Sequence, residues 1–154
     1  MRLWPTTRNS VTGDRQPATP HVYDRGVIDK LAWIHIKDGR MLAARSRGKD
    51  AWFLPGGKRE SGESDEQALV REVREELTVA LHDMRPAGIF EAQAHGRDEG
   101  VIVRMTCFTA DYTGTLRPAA EIEEMAWLTY ADRDRVSLVG QQVMDWLKSR
   151  GELR

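Results

Sequence analysis

The chain has 154 residues, the size of one ordinary domain, and 40% of them are hydrophobic and 31% charged, as in soluble globular proteins. Its 23 Lys and Arg against 24 Asp and Glu give a net charge of −1, which argues against binding of nucleic acid or of an anionic membrane through bulk charge. The single cysteine, Cys107, excludes an internal disulfide and a cysteine-based zinc site. No apolar run approaches the roughly 18 residues of a membrane helix, and the start lacks the apolar core of a signal peptide, so we expect a cytoplasmic protein.

The first 25 residues differ in pattern from the rest of the chain. Residues 1–25 are polar, are interrupted by three prolines and show no periodicity. We expect an N-terminal arm that is either flexible or docked on the domain or on a partner subunit, with Trp4 or the pair Val22 and Tyr23 supplying apolar contacts. Residues 26–154 are then expected to form one domain.

Strand-like patterns recur along this domain. The first, Val27–Lys37, is followed by an Asp38-Gly39 turn and a returning strand, Arg40–Arg45. A short aromatic piece, Ala51–Leu54, leads into Pro55-Gly56-Gly57, which we expect to be a loop. The later predicted strands are Ala87–Ala94, Val101–Tyr112 and Met125–Leu128.

Two amphipathic helices are predicted. Ser64 is a good N-cap for the first, Gln67 completes a capping box, and apolar residues including Leu69 and Leu77 follow at helical spacing. The second is predicted over residues 134–149. Strands on both sides of a central helix, with a closing helix, indicate an α/β fold in which a mixed β-sheet is flanked by helices.

The most informative feature is a cluster of carboxylates on the first predicted helix. Glu72, Glu75 and Glu76 stand at i, i+3 and i+4, so their side chains share one face. Like charges this close repel, so the cluster either spreads into solvent or holds a divalent cation. Three glutamates alone more often mark a solvated helix, with pairs such as Arg71–Glu75. The preceding Gly56-Gly57 favours the cation, because glycines expose carbonyls to a metal and amides to phosphate, and carboxylates suit Mg²⁺ or Mn²⁺.

The spacing of these residues resembles the signature of the Nudix hydrolases, which is G-x5-E-x7-R-E-U-x-E-E-x-G-U with U an aliphatic residue. The matching residues are Gly57, Glu63, Arg71, Glu72, Val73, Glu75, Glu76 and Val79. The one departure is Thr78, where the family has a glycine that ends the helix and bears no catalytic group. If this position needs a positive φ, a threonine is strained, so we expect the backbone to differ locally.

The resemblance implies the α/β/α sandwich of the family over residues 27–149 and metal-dependent hydrolysis of a nucleoside diphosphate linked to another group. It implies Mg²⁺ or Mn²⁺ as the cofactor, which neutralises the pyrophosphate and acidifies a water whose proton a glutamate accepts. The implied metal ligands are Glu72, Glu75, Glu76 and the Gly56 carbonyl. The implied supporting residues are Glu63, which acts through water, Arg71, which orients a glutamate, and Gly57 in the phosphate loop.

An acidic segment, Glu121-Ile122-Glu123-Glu124, precedes the predicted strand that contains Trp127. It is either an acidic surface loop or the source of an extra carboxylate over the metal cleft. Several Nudix enzymes have a glutamate in a loop at a similar place, ahead of a tryptophan. By this resemblance Glu121 is the first candidate for a base or ligand, and Glu124 the second.

Aromatic and imidazole side chains offer candidates for substrate binding. Trp52 and Phe53 adjoin the glycine loop and point to opposite faces if they lie in a strand, so we expect one in the core and the other stacked on a base. His95 lies in a predicted turn, where it either reaches the substrate or is an exposed turn residue. His35 and Cys107 are expected to be a half-buried sheet residue and a small core residue.

The resemblance favours a small-molecule nucleotide substrate. Gln93 stands where ADP-ribose enzymes of the family often carry a proline, and the tyrosine typical of dinucleoside polyphosphate enzymes is missing slightly later. By elimination we expect a nucleoside or deoxynucleoside triphosphate to be split into monophosphate and pyrophosphate. The alternatives are ADP-ribose, nucleotide sugars, dinucleoside polyphosphates or a non-catalytic nucleotide-binding module.

Hydrolysis at the 5′ end of RNA ranks last, because residues 58–76 hold 4 basic and 7 acidic residues. We expect neither stable binding of nucleic acid nor association with a membrane. The resemblance makes a homodimer the expected assembly.

Overall fold

The computed structural model describes residues 26–94 and 100–154. The strands are β1 (Val27–Trp33), β2 (Ile36–Lys37), β3 (Arg40–Ser46), β4 (Gly56–Gly57), β5 (Ala80–Gln93), β6 (Ile102–Thr113) and β7 (Ile122–Leu128). The helices are α1 (Asp65–Leu77), a 3₁₀ helix (Tyr130–Arg135) and α2 (Leu138–Ser149). In the described part of the chain, no helix is long and apolar enough to span a membrane. The predicted N-terminal arm, residues 1–25, lies outside the described residues.

The strands divide between two sheets. The first has the order β4-β1-β6-β5, with β1 parallel to β6 and its other pairs antiparallel. The second has the order β2-β3-β7 and is antiparallel throughout. The predicted mixed α/β class is confirmed, but the predicted strand Val27–Lys37 is interrupted at Ile34 and His35, and its last two residues join the second sheet.

The two helices cover opposite faces of the first sheet. Leu31 of β1 belongs to an apolar cluster with Leu69 of α1, whereas its neighbour Ala32 belongs to a second cluster with Val143 of α2. Because successive strand residues point to opposite faces, α1 and α2 must lie on different sides of β1. The predicted arrangement of a sheet flanked by helices is therefore confirmed.

Several predicted boundaries were wrong for identifiable reasons. Strand β5 begins at Ala80 rather than at the predicted Ala87. The prediction missed its first half because irregularities between His82 and Arg85 and between Pro86 and Gly88 disturb the alternation of the side chains. Strand β7 likewise begins before Met125.

Helix α2 begins at Leu138 because the preceding residues form the 3₁₀ helix and Ser137 is the N-cap. The predicted loop at Gly56 and Gly57 is in fact strand β4, since these residues pair with Ala32 and Leu31 of β1. This pairing holds the glycines beside α1.

Candidate active site

Helix α1 carries the candidate metal ligands and is defined by local hydrogen bonds at both ends. The Gln67 amide donates to Ser64 Oγ at 3.1 Å and the Ser64 amide donates to Gln67 Oε1 at 3.0 Å, which confirms the predicted capping box. Thr78 ends the helix in the left-handed conformation at φ +65°, so the expectation that the backbone would differ there is wrong. The Thr78 hydroxyl donates to the Thr115 carbonyl at 2.9 Å, an interaction that offsets part of the strain.

Glu76 is the buried carboxylate of the helix, with only 3% of its surface exposed. Its Oε1 accepts a hydrogen bond of 3.0 Å from the Gly56 amide. Burial, which has the largest effect, and the charges of Glu72 and Glu121 together raise the pKa of Glu76 to about 8, although the Gly56 hydrogen bond opposes them. Among the described residues, no donor reaches the second oxygen, so this oxygen can accept a proton or ligate a cation.

Arg71 ties together the carboxylates at the exposed side of the helix. Its Nε and Nη2 donate to the two oxygens of Glu63 at 2.6 and 2.9 Å, and its Nη1 reaches Glu72 at 3.3 Å and Glu75 at 3.4 Å. The Arg71 hydrogen bonds and the Glu60 amide lower the pKa of Glu63 to about 2. Glu63 is thus an anion above about pH 2, and it holds the arginine in place.

Gly57 permits the close approach of Glu72 to strand β4. A Cβ atom at Gly57 would lie 2.5 Å from Glu72 Oε2, which is too close for any other residue to fit without moving the carboxylate. Burial raises the pKa of Glu72, and Arg71 opposes this effect. The glycine therefore provides the space in which the Glu72 carboxylate lies.

Three carboxylates meet in one cleft of about 490 Å³. Glu72 and Glu76 line it from α1, and Glu121 lines it from the loop before β7, where its carbonyl accepts a hydrogen bond of 2.8 Å from the Arg47 amide. The cationic residues that line the same cleft are Lys30, Lys49 and Lys58. Carboxylates beside lysines suit a polyphosphate neutralised jointly by a cation and by the protein.

A larger and more open cleft of about 740 Å³ lies elsewhere, between His35, Arg85 and Trp146. In residues 26–94 and 100–154, none of the predicted site residues lines it. Volume alone therefore does not select a site, and the smaller cleft is the candidate active site because it gathers the predicted carboxylates and the glycines of β4.

The structure separates the two candidates in the acidic segment. Glu121 lines the cleft, whereas Glu124 forms an ion pair with Arg45 and lines a different surface pocket. Glu75, although predicted as a ligand, has 54% of its side chain exposed and contacts Arg71 outside the lining of the cleft.

The aromatic candidates both line the cleft. Trp52 is buried in the cluster that includes α2, and Phe53 is half-buried. Hydrogen bonds from the Trp52 amide to the Arg135 carbonyl and from the Ser137 amide to the Trp52 carbonyl, both 2.9 Å, tie this segment to the start of α2. His95 lies outside the described residues. Cys107 is buried, as predicted.

The donor set around Glu76 fits a hard divalent cation. Carboxylate oxygens are the ligands that Mg²⁺ and Mn²⁺ prefer, and the second oxygen of Glu76 has no donor among the residues described. Within the described ranges, one group of side chains offers three ligand atoms within 4.8 Å of one another, and it consists of the exposed His82, Asp83 and Asp111. This group shares no residue with the predicted ligand set.

Sequence reasoning missed several residues of the cleft. Lys30, Lys49, Gln93 and Leu138 come from four distant segments and meet only in the folded chain. Of these, only Gln93 stood out in the sequence, as the position where ADP-ribose enzymes of the family often carry a proline, whereas Lys30 lies beside another charged residue, Asp29, in the same strand pattern.

Comparison with known proteins matches residues 28–147 to the NUDIX domain. The CTP pyrophosphohydrolase of Escherichia coli (strain K12) is 33% identical over 106 residues, which cover 66% of this chain and 75% of that protein. A MutT-like protein of Streptomyces ambofaciens is 31% identical over 93 residues, which cover 60% of this chain and 57% of that protein, less than two thirds of its length. The crystal structure of a MutT NUDIX hydrolase from Burkholderia pseudomallei has the same fold, with a TM-score of 0.63 at 22% identity, covering 77% of this chain and 96% of that one.

Proposed function

Because the chain belongs to the NUDIX family of hydrolases, which act on pyrophosphate bonds, we propose that it splits a nucleoside or deoxynucleoside triphosphate into monophosphate and pyrophosphate. One observation carries the proposal. Two carboxylates of α1, a third from a distant loop and three lysines line a single cleft beside the glycines of β4. This combination suits a substrate that is highly anionic and is bound together with a cation.

The proposed ligands of the cation are Glu72, Glu75, Glu76 and the Gly56 carbonyl. Bound Mg²⁺ or Mn²⁺ would neutralise phosphate charge and acidify a water molecule. Glu75 reaches this set only if its carboxylate leaves Arg71, whose Nη1 lies 3.4 Å away.

The residues of the chain perform the remaining tasks. Lys30 and Lys58 offset phosphate charge along the cleft, and Glu121 accepts the proton of the attacking water. Arg71 is a positioning residue, because Glu63 holds it in place and it in turn contacts Glu72.

The test is release of phosphate and pyrophosphate from a panel of NTPs, dNTPs, ADP-ribose, nucleotide sugars and dinucleoside polyphosphates with Mg²⁺. We include CTP because the E. coli relative is a CTP pyrophosphohydrolase. A monophosphate and pyrophosphate should appear from triphosphates, and excess EDTA should abolish turnover. Full activity in EDTA would refute the metal-dependent reaction.

Glu121 and Glu124 form a matched pair for the proposed proton acceptor. Glu121→Gln should lower kcat by about 100-fold, because general-base catalysis typically contributes 10² to 10⁴. Glu124→Gln removes an acidic group of the same segment that pairs with Arg45 instead, and should leave kcat unchanged. Equal effects of the two substitutions would remove Glu121 from the mechanism.

We further propose that the protein is cytoplasmic and forms a homodimer. The proposal of a dimer rests on the family resemblance. Light scattering of the full chain measures its mass directly, and a monomeric mass at micromolar concentration would refute it.

A further inference from the structure

The segment that carries Glu121 is anchored by the end of helix α1. Residues 114–121 form neither helix nor strand. The Ala119 amide donates a hydrogen bond of 2.8 Å to the carbonyl of Glu76 in the last turn of α1. Carbonyls in the last turn of a helix have no partner within the helix, so they are available for such contacts. The segment is thus fixed to the helix that bears the proposed metal ligands.

Arg47 anchors the same segment from strand β3. It directly follows Ser46, the last residue of β3, which pairs with Ile122 at the start of β7. Its Nη2 and Nη1 atoms donate to the Ala120 carbonyl at 2.7 and 3.4 Å, and its amide donates to the Glu121 carbonyl at 2.8 Å. These two carbonyls belong to the peptide groups before and after the Cα atom of Glu121. Because each peptide group is planar, holding both groups restricts the direction in which the Glu121 side chain leaves the backbone.

Ala120 has a backbone conformation that needs support. Its φ is +54°, in the left-handed region that residues with a Cβ atom rarely adopt. Such a conformation persists where the surrounding structure holds it. The Arg47 guanidinium donates to the carbonyl of this strained residue. Removing the guanidinium should therefore allow the turn to relax and the next residue, Glu121, to move.

Arg47 acts on the cleft from outside it. Lys49 lines the cleft with Glu121, whereas Arg47 does not. Arg45, two residues earlier, also contacts the acidic segment, but through an exposed ion pair with the side chain of Glu124. An ion pair between exposed side chains restricts the backbone little. Of these two arginines, Arg47 is therefore the one that holds the main chain on both sides of Glu121.

We infer that Arg47 is a positioning residue for the proposed reaction. By holding the peptide groups on both sides of Glu121, it keeps the Glu121 carboxylate in the cleft with Glu72 and Glu76. The inference rests on the proposed function, because it assumes that Glu121 accepts the proton of the attacking water. It predicts that Arg47 affects turnover only through Glu121.

The experiment is a double-mutant cycle between Arg47 and Glu121, with Mg²⁺ and the triphosphate that the substrate panel identifies as best. In the wild-type background, Arg47→Ala should lower kcat by about tenfold with little change in KM, as loss of a residue that orients groups of a metal site typically does. In the Glu121→Gln background it should lower kcat no further, because the carboxylate that it positions is already absent. Arg47→Lys, which offers an ammonium group to the Ala120 carbonyl, should retain more activity than Arg47→Ala.

Arg85→Ala is the matched control. Arg85 Nη1 donates to the Asp83 carbonyl at 3.0 Å, and Asp83 also has a left-handed backbone, with φ +55°. This contact lies in strand β5, and neither residue belongs to the described lining of the cleft. Arg85→Ala should therefore leave kcat unchanged. Thermal unfolding of both alanine variants checks that a difference in kcat does not come from a difference in stability.

A spin label at position 121 gives a readout that does not depend on hydrolysis. Glu121→Cys supplies an accessible thiol for a nitroxide, whereas the native Cys107 is buried and should not react. Electron paramagnetic resonance should show a more mobile nitroxide when Arg47→Ala is added, but not when Arg85→Ala is added.

The outcomes separate this inference from the proposed function. If the wild type hydrolyses no triphosphate, the proposed function fails, and if Glu121→Gln turns over normally, the proposed proton acceptor fails. In both cases a more mobile nitroxide in Arg47→Ala still supports Arg47 as the residue that positions this segment. Unchanged mobility would overturn the inference. So would a loss of kcat in Arg47→Ala that is equally large in the Glu121→Gln background or in Arg85→Ala.

Discussion

Glu63 and Glu76 belong to the same short acidic segment but lie in opposite electrostatic environments. Glu63 is held by the guanidinium of Arg71, which lowers its pKa to about 2, whereas Glu76 is buried with one amide donor and has its pKa raised to about 8. The first is a fixed anion that positions other groups. The second is a carboxylate that gains most from a cation or a proton. Acidic residues of one motif therefore have different roles, and the burial and hydrogen-bond partners of each carboxylate decide its role.

The largest expected effect comes from neutralising the buried member of this comparison. Glu76→Gln should lower kcat by about 100-fold or more, since a ligand or proton acceptor is lost. The fold should survive, because glutamine is uncharged and of nearly the same size, and its carbonyl oxygen can accept the hydrogen bond from the Gly56 amide. Steady-state kinetics and thermal unfolding without metal check both parts. Normal hydrolysis combined with a lower Tm would make Glu76 a structural residue.

A second change displaces Glu72 without altering its charge. Gly57→Ala places a Cβ atom about 2.5 Å from Glu72 Oε2, and the flexible carboxylate rather than the backbone should yield. Misplacement of a catalytic group by about 1 Å can cost about 100-fold, so we expect a loss of nearly that size in kcat/KM with little change in Tm. A large fall in Tm, or loss of the unfolding transition, would instead indicate a packing role for Gly57.

Glu63, the other member of the comparison, is tested through its partner Arg71. Arg71→Ala removes the guanidinium from Glu63, Glu72 and Glu75, and should weaken metal affinity and activity by about tenfold, as loss of a residue that orients metal ligands typically does. Arg74→Ala, one turn later on the same helix, is the matched control. Manganese titration followed by electron paramagnetic resonance measures the affinity, and identical values for the two variants would refute a positioning role for Arg71.

The smallest expected effect is on the pH dependence of stability, which has opposite signs for the two carboxylates. The folded pKa of Glu76, about 8, exceeds its ordinary value of 4.5, so its contribution to stability is present in full below about pH 4.5 and is lost as the pH rises through about 8. The folded pKa of Glu63, about 2, lies below 4.5, so its contribution is present above 4.5 and is lost as the pH falls through about 2.

Urea unfolding in EDTA across this range measures both effects. Glu76→Gln should flatten the decline between pH 4.5 and 8, and Glu63→Gln should flatten the acid limb. The same pH dependence in wild type and Glu76→Gln would contradict the assignment of the alkaline limb.

The sequence predicted those features whose signals are local. The capping box at Ser64 and Gln67, the apolar face of α1 and the acidic cluster are read from neighbouring residues, and all appear in the structure. The bulged half of β5 was missed because Pro86, Gly88 and the irregularity after His82 remove the period-2 pattern. The left-handed backbone at Thr78 was missed because its compensating partner, the Thr115 carbonyl, is distant in sequence.

The set of residues that line the cleft was the feature least predictable from the sequence. The spacing of the motif identifies Glu72 and Glu76, but it does not indicate Lys30, Lys49 or Leu138, which line the same cleft. These residues come from separate elements whose relative placement is decided by sheet pairing and core packing. The lining of the cleft therefore depends on contacts that a local motif does not encode.

The parallel pairing of β1 with β6 has a consequence for how the chain folds. Val27 must find Ile102 and Trp33 must find Phe108, so the central pair of the first sheet closes only after a long intervening segment has been made. Bringing together two strands so far apart in sequence reduces the conformational entropy of the chain before stabilising contacts form between them, and this slows folding. During synthesis the apolar residues of β1 are made well before β6, the strand with which β1 pairs in parallel. In that interval Leu31 and Trp33 lack the strand that covers them in the finished sheet, and apolar residues exposed in this way favour aggregation of incompletely folded chains.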